Sequence, residues 1–354
     1  MRNRGQSSGR DPPSHEQQAA SVKSAPMNSK PAGTAISLCA TRCAICGTES
    51  NTTELYPANF DFEALNPAVF SARRLPDRIH YRLVKCRACG LVRSDPIASP
   101  ELLAQLYAQS AFSYGDEVAD LRFTYGRYLA ELERYGARKE ALLEVGCGNG
   151  FFLEEALNQG YRSVHGIEPG REAVGGASPR VRDQIICGLM GPGVFTPGQF
   201  DVICLFQVFD HVPDPAALLD ECFRVLKPGG LILAINHNVE AISARLLGER
   251  SPIVDIEHTY LYSPATMSRI FAAHGFQIRH VGLVFNRYTL FYLCRLLPLP
   301  PRLKRLALDW LQRRALGKWR LSLPLGNLQL VAQKPAPANE HKRELSNDQP
   351  GVRS

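Results

Sequence analysis

Short, mostly apolar runs recur along this chain at Leu142–Val145, Val164–Ile167, Phe200–Leu205 and Leu231–Ile235. Runs of that length, bounded by glycine, proline or an acid, read as strands of a parallel sheet covered on both faces. Between them, Phe151–Asn158 and Ala216–Leu226 repeat their apolar residues at about 3.6 positions and read as helices, the second ending at the stop Lys227-Pro228-Gly229-Gly230. Gln184–Cys187 is a shorter third strand, followed by a Gly/Pro-rich loop over 188–198. Strand and helix in regular alternation predict an α/β, Rossmann-like, doubly wound and mostly parallel sheet. Upstream, Pro100 opens a helix carrying Leu102, Leu103, Leu106 and Tyr107, and a second helix over Val118–Tyr135 carries Leu121, Tyr125, Tyr128, Leu129 and Leu132 on one face. Downstream, Arg302–Arg320 puts Leu303, Leu306, Trp310 and Leu311 on one side and its Arg and Lys on the other, and Leu325–Ala332 is a last strand. Residues 1–35 and 335–354 have no hydrophobic period and are expected to be disordered.

The chemistry concentrates where the first apolar run ends. The order Glu144-x-Gly146-x-Gly148-x-Gly150 joins the first strand to its helix, and Glu168 stands at the tip of the next strand. Glycines let the backbone approach a bound nucleoside, and the acid can take both ribose hydroxyls. The glycines are spaced more tightly than in G-x-G-x-x-G, the arrangement that seats a pyrophosphate on a helix N-terminus. In open sheets of this kind ligands lie at the carboxyl ends of the strands. That singles out the glycine turn, Glu168, the 187–189 segment with Leu189, the 206–211 segment with Phe206, Gln207 and His211, and the 236–238 segment with His237.

Taken with its flanking acids, the glycine turn resembles the signature loop of the class I S-adenosylmethionine-dependent methyltransferases. The stretch Phe206–Pro215 is similar to that family's E-H-V-x-D-P segment, with Asp210 one methylene shorter than the usual Glu, and Leu226-Lys-Pro-Gly-Gly230 is similar to its L-K-P-G-G turn. Glu257–Pro264 and Phe271–Phe276 resemble the stretch after the fifth strand in bacterial small-molecule methyltransferases. The resemblance covers Cys43 to Lys334. It implies a seven-stranded sheet whose last strand is antiparallel at the edge, S-adenosyl-L-methionine as cofactor, and a lid from the segment before the glycine turn, with Tyr114 and Tyr125 as candidates. Some relatives, sugar C-methyltransferases among them, carry an N-terminal module with paired C-x-x-C turns.

Such a module is present here. Cys43-Ala-Ile-Cys46-Gly47 and Cys86-Arg-Ala-Cys89-Gly90 each aim two thiolates at one point, and two such turns supply the four sulfurs of a tetrahedral structural Zn2+. Cys39 is a spare thiol that could replace Cys43. The expected organisation is a zinc-ribbon-like module over 36–97, a helical lid or linker over 98–139, and the cofactor-binding domain over 140–334 with a basic amphipathic insertion at 286–322.

Ten cysteines alone would admit a secreted protein, but the first 35 residues hold no apolar core for a signal peptide, and the expected compartment is the cytoplasm. The formal net charge of +7 is concentrated in Arg287–Arg320, which holds nine Lys or Arg against Asp309 alone. With Trp310 and Trp319, the helix at 302–320 has the composition of one that lies on an anionic bilayer, or else covers the sheet. The function expected is methyl transfer to oxygen or carbon of a small-molecule, sugar or lipid-linked acceptor. His211, His258 and His237 are the candidate bases for the acceptor's proton. The alternatives are a non-catalytic zinc-ribbon and Rossmann-like binding protein and an RNA methyltransferase. No aromatic-basic interleaving near the ribbon reads as a base-stacking platform, so no nucleic-acid partner is expected.

Overall fold

The computed structural model describes residues 37–59, 70, 79–110, 117–297, 299–314 and 316–336. The expectations for residues 1–35, for 337–354 and for Tyr114 lie outside these residues. The amino-terminal segment contributes strands β1 (Leu38–Cys39), β2 (Thr52–Tyr56), β3 (Leu83–Cys86), β4 (Val92–Ser94) and β5 (Ile97–Ala98). Helices α1 (Pro100–Ala108) and α2 (Val118–Glu131) follow, then β6 (Ala141–Val145), α3 (Phe151–Asn158), β7 (Ser163–Glu168), α4 (Arg171–Gly175), β8 (Ile185–Cys187), β9 (Phe200–Phe206), α5 (Pro215–Val225) and β10 (Leu226–His237). The remainder is α6 (Ile242–Leu247), β11 (Tyr260–Leu261), α7 (Pro264–Ala273), β12 (Gln277–Thr289), α8 (Leu290–Leu296), α9 (Pro301–Arg313) and β13 (Arg320–Gln333).

The central sheet has seven strands in the order β12-β13-β10-β9-β6-β7-β8. Strands β10, β9, β6, β7 and β8 run parallel, and β13 is antiparallel to both of its neighbours. Side chains of a strand alternate between faces. Leu143, Ile203, Leu205, Ile232 and Ala234 therefore pack under α5 and α7, while Leu142, Val202, Cys204, Leu231 and Leu233 pack under α2 and α3. Both faces are covered, which is why β9 is buried at every position and reads as an unbroken apolar run. The order reverses between β6 and β9, and a crevice opens there at the carboxyl ends of the strands.

One expectation is corrected. The antiparallel strand lies between β10 and β12, and the edge belongs to β12. Strand β12 is mostly exposed or half-buried along its length, and its apolar run from Val281 to Phe285 continues past Asn286 and Arg287 into the apolar stretch of α8, so it does not announce a separate strand.

The amino-terminal segment is not closed on itself. Its four-stranded sheet runs β11-β4-β3-β2, and β11 comes from the far side of β10. Tyr260 and Leu261 pair with Arg93 and Val92. Among the described residues, no helix is long and apolar enough to cross a membrane.

Candidate active site

A cavity of about 1260 Å³ runs from the glycine turn to the ends of β9, β10 and β13. Pockets for a single drug-sized ligand measure roughly 300–1,000 Å³, so this larger space can admit two small molecules side by side.

One end of the cavity is built on the β6–α3 turn. Gly146, Gly148 and Gly150 have φ of 71°, 53° and 73°, a region that costs an L-residue with a Cβ about 1–2 kcal/mol. Space is short as well: a Cβ on Gly146 would lie 2.3 Å from Val208 Cγ2. Glu168 is fixed by its own neighbours, its carboxylate accepting the N–H of Gly148 at 2.9 Å and of Gly170 at 2.8 Å. Burial pushes its pKa up, against those two amides. Glu144 is buried beneath the turn, and burial, reinforced by Glu168, pushes its carboxyl well above the usual range. Its Oε2 has no hydrogen-bond partner. An orphaned acid oxygen in the cavity wall fits the ammonium group of an amino-acid cofactor, and glycines that admit no side chain fit its close backbone approach. Phe206 stacks on Tyr125 with ring centroids 4.2 Å apart and forms the wall opposite. Gln207 holds φ at +54°, a strained conformation for a residue with a side chain, and its buried Oε1 is also unpartnered. Glu144, Gly146, Gly148, Glu168, Leu189, Phe206 and Gln207 all line the cavity. Gly150 stands behind the lining, where it caps α3.

At the other end the three histidines meet around one carboxylate. Asp210 follows β9, His237 ends β10, and His211 and His258 flank them. His237 Nδ1 lies 2.7 Å from Asp210 Oδ2, His211 Nε2 lies 3.7 Å from Oδ1, and His258 Nε2 lies 4.0 Å from Oδ2. Ring centroids are 4.8 Å apart for His211 and His258 and 4.5 Å apart for His237 and His258. Burial by itself would raise the pKa of Asp210, but the surrounding imidazoles outweigh it and hold the carboxyl well below its usual range. Burial pushes His258 far down, with His237 adding to it, and pushes His211 down; Asp210 opposes both. Asp210 only accepts, so in the neutral ring His237 donates through Nδ1 and keeps its lone pair on Nε2. That arrangement can hold and move a proton at this end of the cavity.

Sequence reasoning did not assign Tyr107 to this site. It reads as one more apolar position on α1, yet its hydroxyl lies 3.2 Å from His211 Nδ1. Nor did it mark Asp210 as the centre, since three imidazoles from separate segments converge only in space.

The cysteines form a second centre away from the cavity. Sulfurs of Cys43, Cys46, Cys86 and Cys89 lie within 4.8 Å of one another, and none is in a disulfide. Each turn closes on a glycine, with Gly47 N–H donating to Cys43 O at 2.8 Å and Gly90 N–H to Cys86 O at 2.9 Å. Burial opposes ionisation of Cys86, but the N–H groups of Cys89 and Ala88 outweigh it and bring the thiol down to about 6. Cys39 is exposed and outside this cluster. Four sulfurs closed around one point suit a structural ion and leave no position for a substrate.

The apolar face of α9 is bare. Leu303, Leu306, Trp310 and the following Trp319 are each more than half exposed, and α9 has no buried residue. The described residues therefore do not cover this face with the sheet. On α6, Ile242 and Leu246 are 78% and 81% exposed. Leu246, Leu297 and Leu325 also line the mouth of the cavity.

Comparison with known proteins bears on the cofactor. The family described as "Methyltransferase domain" matches residues 119–281. The ubiquinone biosynthesis O-methyltransferase of Pseudomonas paraeruginosa is 31% identical over 176 residues, covering 45% of this chain and 75% of that protein. The enzyme of the same name from Psychrobacter arcticus is 30% identical over 170 residues, covering 44% and 66%. Among solved structures, a SAM dependent methyltransferase from Archaeoglobus fulgidus matches at 17% identity and a TM-score of 0.42, covering 60% of this chain and 94% of that one.

Proposed function

Because this chain belongs to the class I S-adenosylmethionine-dependent methyltransferases, we propose that its acceptor is a small, largely apolar molecule methylated on a hydroxyl oxygen. The observation that carries the reading is the Asp210–His237 pair, 2.7 Å apart, in the same cavity as the glycine turn. An oxygen nucleophile needs its proton removed, and a histidine oriented by a carboxylate is suited to that task. The relatives' names, O-methyltransferases of ubiquinone biosynthesis, support oxygen as the target. The complete glycine turn with Glu144 and Glu168 does not favour a non-catalytic scaffold.

When bound, the cofactor would supply an electrophilic methyl group on a sulfonium, with a neutral thioether as the leaving group. The protein's share is alignment and proton transfer, and in-line positioning supplies most of the acceleration in such displacements. Glu168 receives the ribose hydroxyls, Glu144 the ammonium group, and Gly146 and Gly148 give the backbone room to approach. Leu189, Phe206 and Gln207 bound the nucleoside, and Tyr125 closes over it. His237 takes the hydroxyl proton on Nε2 while Asp210 holds the ring by Nδ1–H, with His211 and His258 enclosing the pair. Leu246, Leu297 and Leu325 receive the apolar part of the acceptor at the mouth. Beside it, the bare apolar face of α9 and its basic residues meet an anionic membrane surface, from which a lipid-linked acceptor is reached. The four cysteines hold one structural zinc.

The test is transfer of labelled methyl from S-adenosylmethionine into cell extracts split into lipid and aqueous fractions. Label is expected in the lipid fraction as a base-stable ether. His237→Gln should lower kcat about 10²–10⁴-fold with cofactor affinity unchanged. Label recovered on carbon or nitrogen, or a His237→Gln enzyme with full activity, would overturn the proposal.

A further inference from the structure

We propose that Asp210, His237 and His258 form a binding site for one divalent transition-metal cation, separate from the cysteine cluster. The inference deepens the reading of the acceptor pocket and rests on it only for the cation's purpose.

The donor atoms of the three residues already lie within 4.8 Å of one another. Ligands about 2.0–2.2 Å from a tetrahedral ion sit roughly 3.3–3.6 Å apart. The observed separations to Asp210 Oδ2, 2.7 Å from His237 Nδ1 and 4.0 Å from His258 Nε2, bracket that spacing. Small side-chain rotations bring the set to ligand geometry.

His258 supplies an independent argument. Its Nδ1 lies 2.8 Å from the carbonyl oxygen of Ile253, which can only accept. In the neutral ring Nδ1 therefore carries the hydrogen, and Nε2 turns a bare lone pair toward a carboxylate oxygen. Two acceptors facing each other in a buried site are unfavourable unless something positive lies between them. A backbone carbonyl holding the far nitrogen is also the partner that metal-bound histidines usually have.

Asp210 points the same way. It is fully buried, and its ion pairs among the described residues are with imidazoles alone, not with Lys or Arg. Its Oδ1 has no hydrogen bond. An unpaired oxygen on a buried carboxylate is costly, and coordination of a cation is one of the few ways to compensate it. Two imidazoles and a carboxylate are a donor set for Zn2+, Fe2+ or Co2+ rather than for Mg2+ or Ca2+. On binding, the cation takes the lone pair of His237 Nδ1 and the ring's hydrogen moves to Nε2, so no proton is released, and with the ion in place His237 serves as a ligand and no longer as the base for the acceptor's proton. Three protein ligands leave a position open, and His237 and His258 both line the cavity. A hydroxyl oxygen of the acceptor placed there would lose its proton more readily, the proton leaving through the open mouth.

Cobalt tests this directly. Full-length protein, dialysed against a mild chelator, is titrated with Co2+ and followed by visible absorption, with S-adenosylmethionine affinity measured by calorimetry in parallel. The expected wild-type result is a cobalt site with weak nitrogen and oxygen ligand-field bands and no thiolate-to-metal band. It should saturate at one ion per chain. His258→Gln and His237→Gln should each weaken this site at least tenfold while cofactor affinity stays within twofold, and circular dichroism checks that both variants fold. Absence of the nitrogen and oxygen spectrum in the wild type, or its retention in both variants, overturns the site. If cofactor binds normally and no such cobalt appears, the metal proposal fails and the methyltransferase reading stands; cobalt bound without cofactor affinity would give the reverse.

Discussion

Glu144 has its carboxyl buried under the glycine turn with one oxygen unpartnered, and burial has pushed its pKa well above the usual range. A carboxyl raised in the folded state favours folding below its unfolded value and withdraws that contribution as the pH climbs through the folded value. Glu144→Gln removes the titration. The variant should melt above wild type at about pH 8, and the gap should close near pH 4, where the unfolded carboxyl also holds its proton. Cofactor affinity should fall at the same time, because the ammonium loses its partner; thermal melts and calorimetry read the two effects. Gly146→Ala should lower both the melting temperature and the cofactor affinity, since its Cβ would clash with Val208 Cγ2 in a left-handed backbone. Glu168→Ala removes charge-assisted hydrogen bonds worth about 1.5–3 kcal/mol each, so cofactor affinity should drop at least tenfold by calorimetry. These residues were legible because the turn and its two acids lie within one stretch of chain. Asp210 was not, because its partners arrive from the ends of different strands.

Elements with a local signature were legible too. Strands β6 and β9 are buried on both faces and read as apolar runs, and α5 is opened by Asp214, which caps Ala217 N–H at 3.0 Å, and by Pro215. Strands β11 and β12 were not, since a two-residue pairing and an edge strand depend on what lies beside them. Helix α9 shows the same limit, for its apolar side is written in the sequence but whether anything covers that side is not. The structure leaves Leu303, Leu306 and Trp310 bare next to Arg302, Lys304 and Arg305. Such a helix should bring the protein down with anionic vesicles and not with neutral ones, less so as salt rises. Changing Arg313 and Arg314 to Glu should release it; a protein left in the supernatant with both lipids at low salt would remove the membrane from the proposal.

At the scale of the whole molecule, the cysteine turns and the acceptor end of the cavity are mechanically joined. Ser94 Oγ donates to the carbonyl of His258 at 2.7 Å, and Ser94 N–H donates to the carbonyl of Thr259 at 2.9 Å. Thr259 and Tyr260 donate in turn to the carbonyl of Asp210. Metal analysis should find zinc in the cysteine cluster, lost in Cys86→Ser. Because folding of such a site is coupled to its ion, that variant should raise KM for the acceptor severalfold and leave cofactor affinity nearly unchanged. Equal damage to both would mean that the coupling runs through the sheet as a whole.

The pairing of β11 with β4 also bears on how acceptor choice can be inherited. A donor chain that passed on its 255–264 stretch without β4 would hand over His258 without the Ser94 hydroxyl that holds its carbonyl. On the proposed reading, the acceptor end thus draws on two distant pieces of gene, while the glycine turn, Glu144 and Glu168 lie on consecutive strands that a single crossover on each side can exchange.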